Sequence, residues 1–223
     1  MRNITMETIT LGNLQYITAK NISAPHAFTT RLGGKSQGHL AALNIGTRRG
    51  DSPEAVLENY GILGNALGFD PRQAVLSRQT HTDTVRKVGL SHRGTGITKP
   101  AFSEPCDALI TNDPGVALTI FTADCTPLLF HDPVTGAVGA AHAGWRGTAA
   151  AIGPKTVKAM VKEFGCDPAN IRAAIGPNVG FCHFETDADV PNAMLAAFGE
   201  EVKPFIRAAG EKYFVDLKQI NAL

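Results

Sequence analysis

The chain has no Cys-X-X-Cys pair, no His-Glu-X-X-His element and no long run of charge of either sign. Each absence excludes something. Without a close cysteine pair, a structural zinc ribbon or finger has no ligand set. Four cysteines, at 106, 125, 166 and 182, are too few and too scattered to staple 223 residues with disulfides. A net charge of +1 gives no argument for a nucleic acid or an acidic membrane as partner, although a small anion held by a few local cations stays open. No stretch of about 18 apolar residues exists, so no membrane-spanning helix is expected. The N-terminus, Met-Arg-Asn-Ile-Thr-Met-Glu-Thr, has no apolar core of signal-peptide length. The expected setting is a reducing cytoplasm, where a free thiolate serves as ligand or nucleophile. There is no internal repeat, low-complexity tract or clear linker.

What is there reads as a globular chain. Hydrophobic residues make up 43% and charged residues 18%, and a chain of this size buries about 70% of its unfolded surface without staples. Residues 26–50 are rich in glycine and polar side chains and read as a short strand followed by a long loop. Ser52-Pro53-Glu54 opens a helix, with Ser as N-cap and Pro at the first helical position. Val56, Leu57, Tyr60, Leu63 and Leu67 fall on one face of it. Strands are expected at 74–77, 84–88, 108–111, 116–121, 128–130 and 137–141, with Asn112–Gly115 and Asp132–Gly136 as turns. This spacing predicts a mixed or antiparallel sheet buried on both faces. A helix follows from Thr148 to about Phe164 with Gly165 as its stop, then a strand at 171–175, a helix near 187–198, and a last strand at 213–216. A short helix begins at Asp216.

Three segments carry chemistry. They are Gln79-Thr80-His81-Thr82, Ala123-Asp124-Cys125-Thr126-Pro127 and Ala141-His142-Ala143-Gly144-Trp145-Arg146-Gly147. Each puts one soft or borderline metal ligand beside small or turn-forming residues. A Cys and two His from the ends of different strands make an open zinc site, with three protein ligands and a vacant fourth position. Pro127 is expected to end regular hydrogen bonding after Cys125. The N-terminus of the helix after His142, with Arg146 nearby, is a candidate anion site. The bland alternatives are a buried inert cysteine and a tight strand-to-helix turn with Trp145 as packing. His26, His39, His92, His131 and His183 read as surface or structural groups, with His183 the first candidate among them to line a site because it follows the Gly176–Gly180 loop. Cys106 and Cys166 have only a structural reading. The long spacing within the trio is not diagnostic by itself.

Phe28-Thr29-Thr30-Arg31-Leu32-Gly33-Gly34, Leu43-Asn44-Ile45-Gly46, Gln79-Thr80-His81, Ala123-Asp124-Cys125-Thr126-Pro127, His142 through Gly147, and Ile175-Gly176-Pro177 resemble one family in order and spacing. It is the YfiH-like family, long called laccase-domain or multicopper polyphenol oxidase proteins. The resemblance runs from about residue 26 onward. It implies an α/β fold, a single-domain layered sandwich with a central mixed sheet, similar to cysteine hydrolases. It implies a zinc-dependent purine nucleoside phosphorylase that also deaminates adenosine. Carried over by position, His81, Cys125 and His142 are its zinc ligands. Cys125, Asp124, Arg31 and Arg146 fall on catalytic positions, and Asn44, Gly144, Gly176 and Glu185 on substrate-binding ones. The implied partners are purine nucleosides and phosphate. Two departures stand out. The family's Asn-Arg pair is Asn59-Tyr60 here, and residues 1–223 read as one YfiH-like domain without the family's C-terminal segment.

Two rival chemistries are compatible with the same residues. A multicopper oxidase needs His-X-His pairs for its copper cluster, and the chain has none. One Cys/His site can still pick up copper, because copper outranks zinc in raw affinity. A metal-free cysteine hydrolase would use Cys125 as nucleophile and His142 as base, on an amide such as a peptidoglycan precursor. A non-enzymatic binding module is the remaining alternative.

Overall fold

The structure is a computed structural model that describes residues 5–223. Residues 1–4, the start of the segment read for a leader, lie outside the described residues. Along the chain run β1 (Met6–Leu11), β2 (Leu14–Ala19), β3 (Phe28–Thr29), α1 (Pro53–Leu67), β4 (Ala74–Leu76) and β5 (Val85–Lys87). Then come β6 (Ala108–Thr111), β7 (Ala117–Thr119), β8 (Thr126–His131), β9 (Val138–Ala143), α2 (Trp145–Ala149), α3 (Ile152–Phe164) and β10 (Arg172–Ile175). The last elements are β11 (Glu185–Thr186), α4 (Asp189–Phe198), β12 (Ile206–Ala209), β13 (Lys212–Val215) and α5 (Leu217–Ile220).

The central sheet has five strands in the order β10-β8-β9-β6-β5. It is mixed: β5 and β6 are parallel, and the other neighbours are antiparallel. Strand side chains alternate between faces, so each apolar run serves two layers. Ala108, Ile110, Leu128, Phe130 and Ala141 pack with Ile152 and Met160 of α3. On the opposite face Leu109 packs with Val75, Val88, Cys106 and Val116, while Leu129 and Ala174 meet Ala19, Ile22 and Phe28. The layers are therefore α3, the central sheet, and a third layer made by the β1-β2-β3 sheet and the parallel β4-β7 pair. This is the expected sandwich, with the sheet buried on both faces.

Several boundaries differ from the sequence reading. The hairpin β1-β2 was not expected, although Gly12-Asn13 between two alternating segments is a hairpin signal. The helix predicted from Thr148 begins three residues earlier, and Ala151 at φ 58° breaks it into α2 and α3. Leu57, placed on the buried face of α1, is 44% exposed, because that face is set by Val56, Tyr60 and Leu63. Pro127 does not end a strand. It lies inside β8, opposite His142. The strand predicted at 116–121 is shorter and belongs to the separate β4-β7 pair. The C-terminal region forms a small three-stranded sheet, β11-β13-β12, whose core of Val190, Met194, Val202, Val215, Leu217 and Ile220 also receives Trp145. Asn221 donates to Thr148 Oγ1 at 2.9 Å, which ties α2 to the residues just after α5.

Helix α1 is built as its sequence dictates. Ser52 Oγ accepts from the Ala55 amide at 3.0 Å, Pro53 sits in the first turn, and Gly68 closes the helix in the left-handed region. Its Asn59 pins the long loop. Asn59 has no solvent exposure; Oδ1 accepts from Lys35 N at 2.8 Å, and Nδ2 donates to Ser36 Oγ at 2.9 Å and Asn44 O at 2.7 Å. Tyr60, where the resemblance expects arginine, is 1% exposed and packs with Val56, Ala74 and Leu76, and burial pushes its phenol well above the usual range. Asn59→Ala strands these buried loop groups, and the expected cost is about 2–4 kcal/mol, read as a lower midpoint in urea. An unchanged midpoint would show that the loop is held by other contacts.

Candidate metal centre

Three chain segments converge at one end of the central sheet. His142 lies near the end of β9 and is 4% exposed. Cys125 immediately precedes β8 and is partly exposed. His81 sits exposed in the loop between β4 and β5 with φ 64°, a left-handed conformation that a non-glycine residue adopts only where its surroundings hold it. One ligand atom from each, the two imidazoles and the thiol, lie within 4.8 Å of one another. The two rings meet edge to face with centroids 5.0 Å apart, and Cys125 Sγ is 3.9 Å from His81 Nε2.

Hydrogen bonds set this convergence. Asp107, at the foot of β6 and without solvent exposure, accepts from the Thr80, His81 and Thr82 amides at 3.1, 3.0 and 2.9 Å and from Thr82 Oγ1 at 2.8 Å. Its Oδ1 also lies 2.8 Å from His142 Nδ1. Gln79 brings in the third segment. Its Nε2 donates to Phe121 O at 2.6 Å and its Oε1 accepts from Phe121 N at 2.7 Å, four residues before Cys125. Beyond the cysteine, Val179 N donates to Asp124 O at 2.9 Å.

The electrostatics follow from this wiring. Burial works against the Asp107 carboxylate, but hydrogen bonds from His142, Thr82 and Thr80 outweigh it and hold its pKa at about 2. Burial also works against a charged His142, yet the hydrogen bond to Asp107 and the neighbouring Cys125 lift its pKa to about 9. Both shifts favour the ionised Asp107 carboxylate and the protonated His142 ring in the metal-free protein.

The donor set fits zinc. One thiolate and two imidazoles are three borderline-to-soft ligands, and the exposed side of the trio leaves a fourth position open. The backbone makes room for it. A Cβ on Gly144 would lie 2.9 Å from His81 Cδ2 and 3.1 Å from Cys125 Sγ, so only glycine lets the ligands draw together here.

The remaining residues singled out in the sequence are distributed unevenly. Asp124 is exposed beside Cys125. Arg146 is exposed in the first turn of α2, with its guanidinium carbon 4.2 Å over the Trp145 ring. The helix thus begins before Arg146, and its five residues give little aligned dipole for an anion. Arg31 turns its guanidinium onto Ala41 O. Asn44 Nδ2 donates to Asp51 Oδ2 at 2.8 Å, and its Oδ1 accepts from Gly46 N. Gly176 is packed so tightly that a Cβ would lie 2.3 Å from the Phe28 ring. Glu185 is exposed on β11, opposite Phe214. Among the described residues no hydrogen bond or ion pair links Arg31, Asn44 or Glu185 to the trio. His26 and His92 accept from backbone amides of Ala19 and Gly89, and His183 lies 2.9 Å from Cys182 Sγ. Sequence reading missed Asp107. Its one signal was a lone carboxylate directly before the apolar run Ala108-Leu109-Ile110.

Fold and site together define a mixed α/β protein with a partly exposed Cys/His constellation at a sheet end that could hold a metal ion. The model of the family described as multi-copper polyphenol oxidoreductase laccase matches residues 25–223. The chain belongs to this family, the YfiH-like proteins. A Deinococcus radiodurans protein named purine nucleoside phosphorylase is 43% identical over 85% of this chain and 70% of its own length. The Bacillus subtilis protein named purine nucleoside phosphorylase YlmD is 33% identical over 98% of this chain and 79% of its own. The crystal structure of YlmD from Geobacillus stearothermophilus superposes with a TM-score of 0.88 at 33% identity, covering 97% of this chain and 82% of that one.

Gly144→Ala places a methyl group among the ligands. Zinc affinity is expected to fall at least tenfold, about 1.4 kcal/mol or more, measured by competition with a chromophoric chelator. Wild-type affinity in that variant would mean that the ligands do not close on one ion.

Proposed function

We propose that the chain is a zinc-dependent purine nucleoside phosphorylase that acts on adenosine, inosine, guanosine and methylthioadenosine and also deaminates adenosine. The observation that carries this reading is the convergence of the exposed His81, the half-buried Cys125 and the buried His142 within 4.8 Å. Relatives named purine nucleoside phosphorylase at 33–43% identity supply the reaction class. Phosphate and a purine nucleoside are then the substrates. Four free cysteines accord with a cytoplasmic setting.

In phosphorolysis a phosphate oxygen attacks the anomeric carbon, the glycosidic C–N bond breaks, and the base leaves with a proton. His81, Cys125 and His142 would hold the zinc. When bound, zinc supplies Lewis-acid chemistry for phosphorolysis and a route to ionised water for deamination. Asp124, exposed next to Cys125, would carry the proton to the departing base in this reading. Arg146, with its guanidinium steadied over Trp145, offers the nearby positive charge that orients phosphate. Arg31 enters as a second cation once substrate competes for its bond to Ala41 O. Asn44, Gly144, Gly176 and Glu185 line the nucleoside side in this reading.

One observation favours a second reading. Cys125, His142 and Asp107 follow in the order of a nucleophile, base and orienting carboxylate, as a cysteine hydrolase requires. That reading would go with the cysteine-hydrolase-like fold that the resemblance implies, and it needs no metal. Copper-dependent phenol oxidation is the weakest, since a single Cys/His trio gives copper a place but no cluster.

Metal content and phosphate dependence separate them. Zinc-loaded protein is expected to convert adenosine to adenine and ribose 1-phosphate only with phosphate present, and to yield some inosine without it. Cys125→Ala should lose both the zinc and the products, with a drop of at least about 10³-fold in turnover, worth about 4 kcal/mol. Undiminished phosphorolysis in that variant, or full activity in metal-free protein, would defeat the zinc reading.

A further inference from the structure

We propose that Asp107 is the positioning residue of the metal site: one buried carboxylate aims both histidine ligands and assigns the metal-facing nitrogen of His142. The proposal rests on reading His81, Cys125 and His142 as metal ligands. It concerns a residue that lies 18 positions before the nearest of them along the strand side of the sheet and touches no open surface.

The carboxylate is shared between two jobs. Oδ1 lies 2.8 Å from His142 Nδ1 and accepts from His81 N at 3.0 Å. Oδ2 accepts from Thr80 N, Thr82 N and Thr82 Oγ1 at 3.1, 2.9 and 2.8 Å. An ionised carboxylate is acceptor-only, so Nδ1 of His142 must carry the hydrogen in that bond. The lone pair of the neutral ring then sits on Nε2, the nitrogen left to face Cys125 and His81. The same oxygen holds the His81 amide and, with its partner oxygen, fixes three consecutive N–H groups. That grip keeps His81 at φ 64°, the conformation that delivers its ring to the other two ligands. The Asp107 carbonyl oxygen adds the His142 amide at 2.8 Å, so the ring and the backbone of His142 are set by one residue.

Asparagine is nearly isosteric and cannot do this. If its amide nitrogen takes the place of Oδ1, it meets the His81 N–H and offers a donor to His142 Nδ1. The imidazole hydrogen must then move to Nε2, the metal-facing atom. If the nitrogen takes the place of Oδ2, it meets the Thr80 and Thr82 N–H groups, and the 80–82 turn opens. Either orientation removes a ligand from the zinc.

Two measurements test this, with zinc alone as probe. In the first, chelator competition compares wild type with Asp107→Asn, each checked for folding by near-ultraviolet circular dichroism. The expected result is a folded variant that binds zinc about 10–100-fold more weakly. A folded variant with wild-type zinc affinity would overturn the positioning role alone. Wild type that binds no zinc would overturn the metal reading and this proposal with it. In the second, long-range proton–nitrogen NMR of the zinc-loaded wild type assigns the His142 ring. Hydrogen on Nδ1 with Nε2 metal-bound is expected, and the reverse tautomer would refute the assignment. The second measurement decides the matter should Asp107→Asn fail to fold, because a merely structural aspartate fixes no ring tautomer.

Discussion

A carboxylate with no solvent exposure must have its charge met inside the protein, or it would be neutral or absent. Asp107 is met by three backbone amides, a threonine hydroxyl and an imidazole. Satisfying it brings two distant segments to one point, and those segments carry His81 and His142. The remaining ligand, Cys125, arrives through a separate and equally local device, the two bonds between Gln79 and the backbone of Phe121. The site thus depends on two polar side chains that contribute no ligand atom.

The sandwich serves this arrangement by rigidity. Strands β6, β8 and β9 are neighbours in the sheet and are packed from both sides, so the ends that present Asp107, Cys125 and His142 cannot drift independently. Loops contribute what strands cannot. His81 needs a left-handed backbone, and Gly144 must lack a side chain for the three ligand atoms to gather. Placing the site at the sheet's end leaves His81 exposed and Cys125 partly exposed beside the buried His142.

Much of this was legible in the sequence, for physical reasons. Leu109, Ile110, Leu128 and Phe130 form unbroken apolar runs because the sheet is buried twice, and such runs announce strands. Ser52-Pro53 and Gly165 mark helix ends because they satisfy backbone groups that any helix leaves open. His81, Cys125 and His142 stood out through their settings of small and turn-forming residues, and the fold brings their ligand atoms within 4.8 Å of one another. What escaped was long-range. Nothing local says that Ala151 takes a left-handed conformation and splits a helix, or that Pro127 sits inside a strand opposite His142. The role of Asp107 was hidden because its partners lie 25–27 and 35 positions away along the chain. Asn44 and Gly176 were picked out by motif, and their side-chain bonds and close packing within the fold became visible only in three dimensions.

The central claim is that His81, Cys125 and His142 bind one metal ion together. X-ray absorption at the zinc edge of the purified wild-type protein tests it most directly. The account predicts one zinc per chain with a single sulfur at about 2.3 Å and two imidazole nitrogens at about 2.0–2.1 Å. A zinc environment without sulfur, or a fully active protein without zinc, would contradict it.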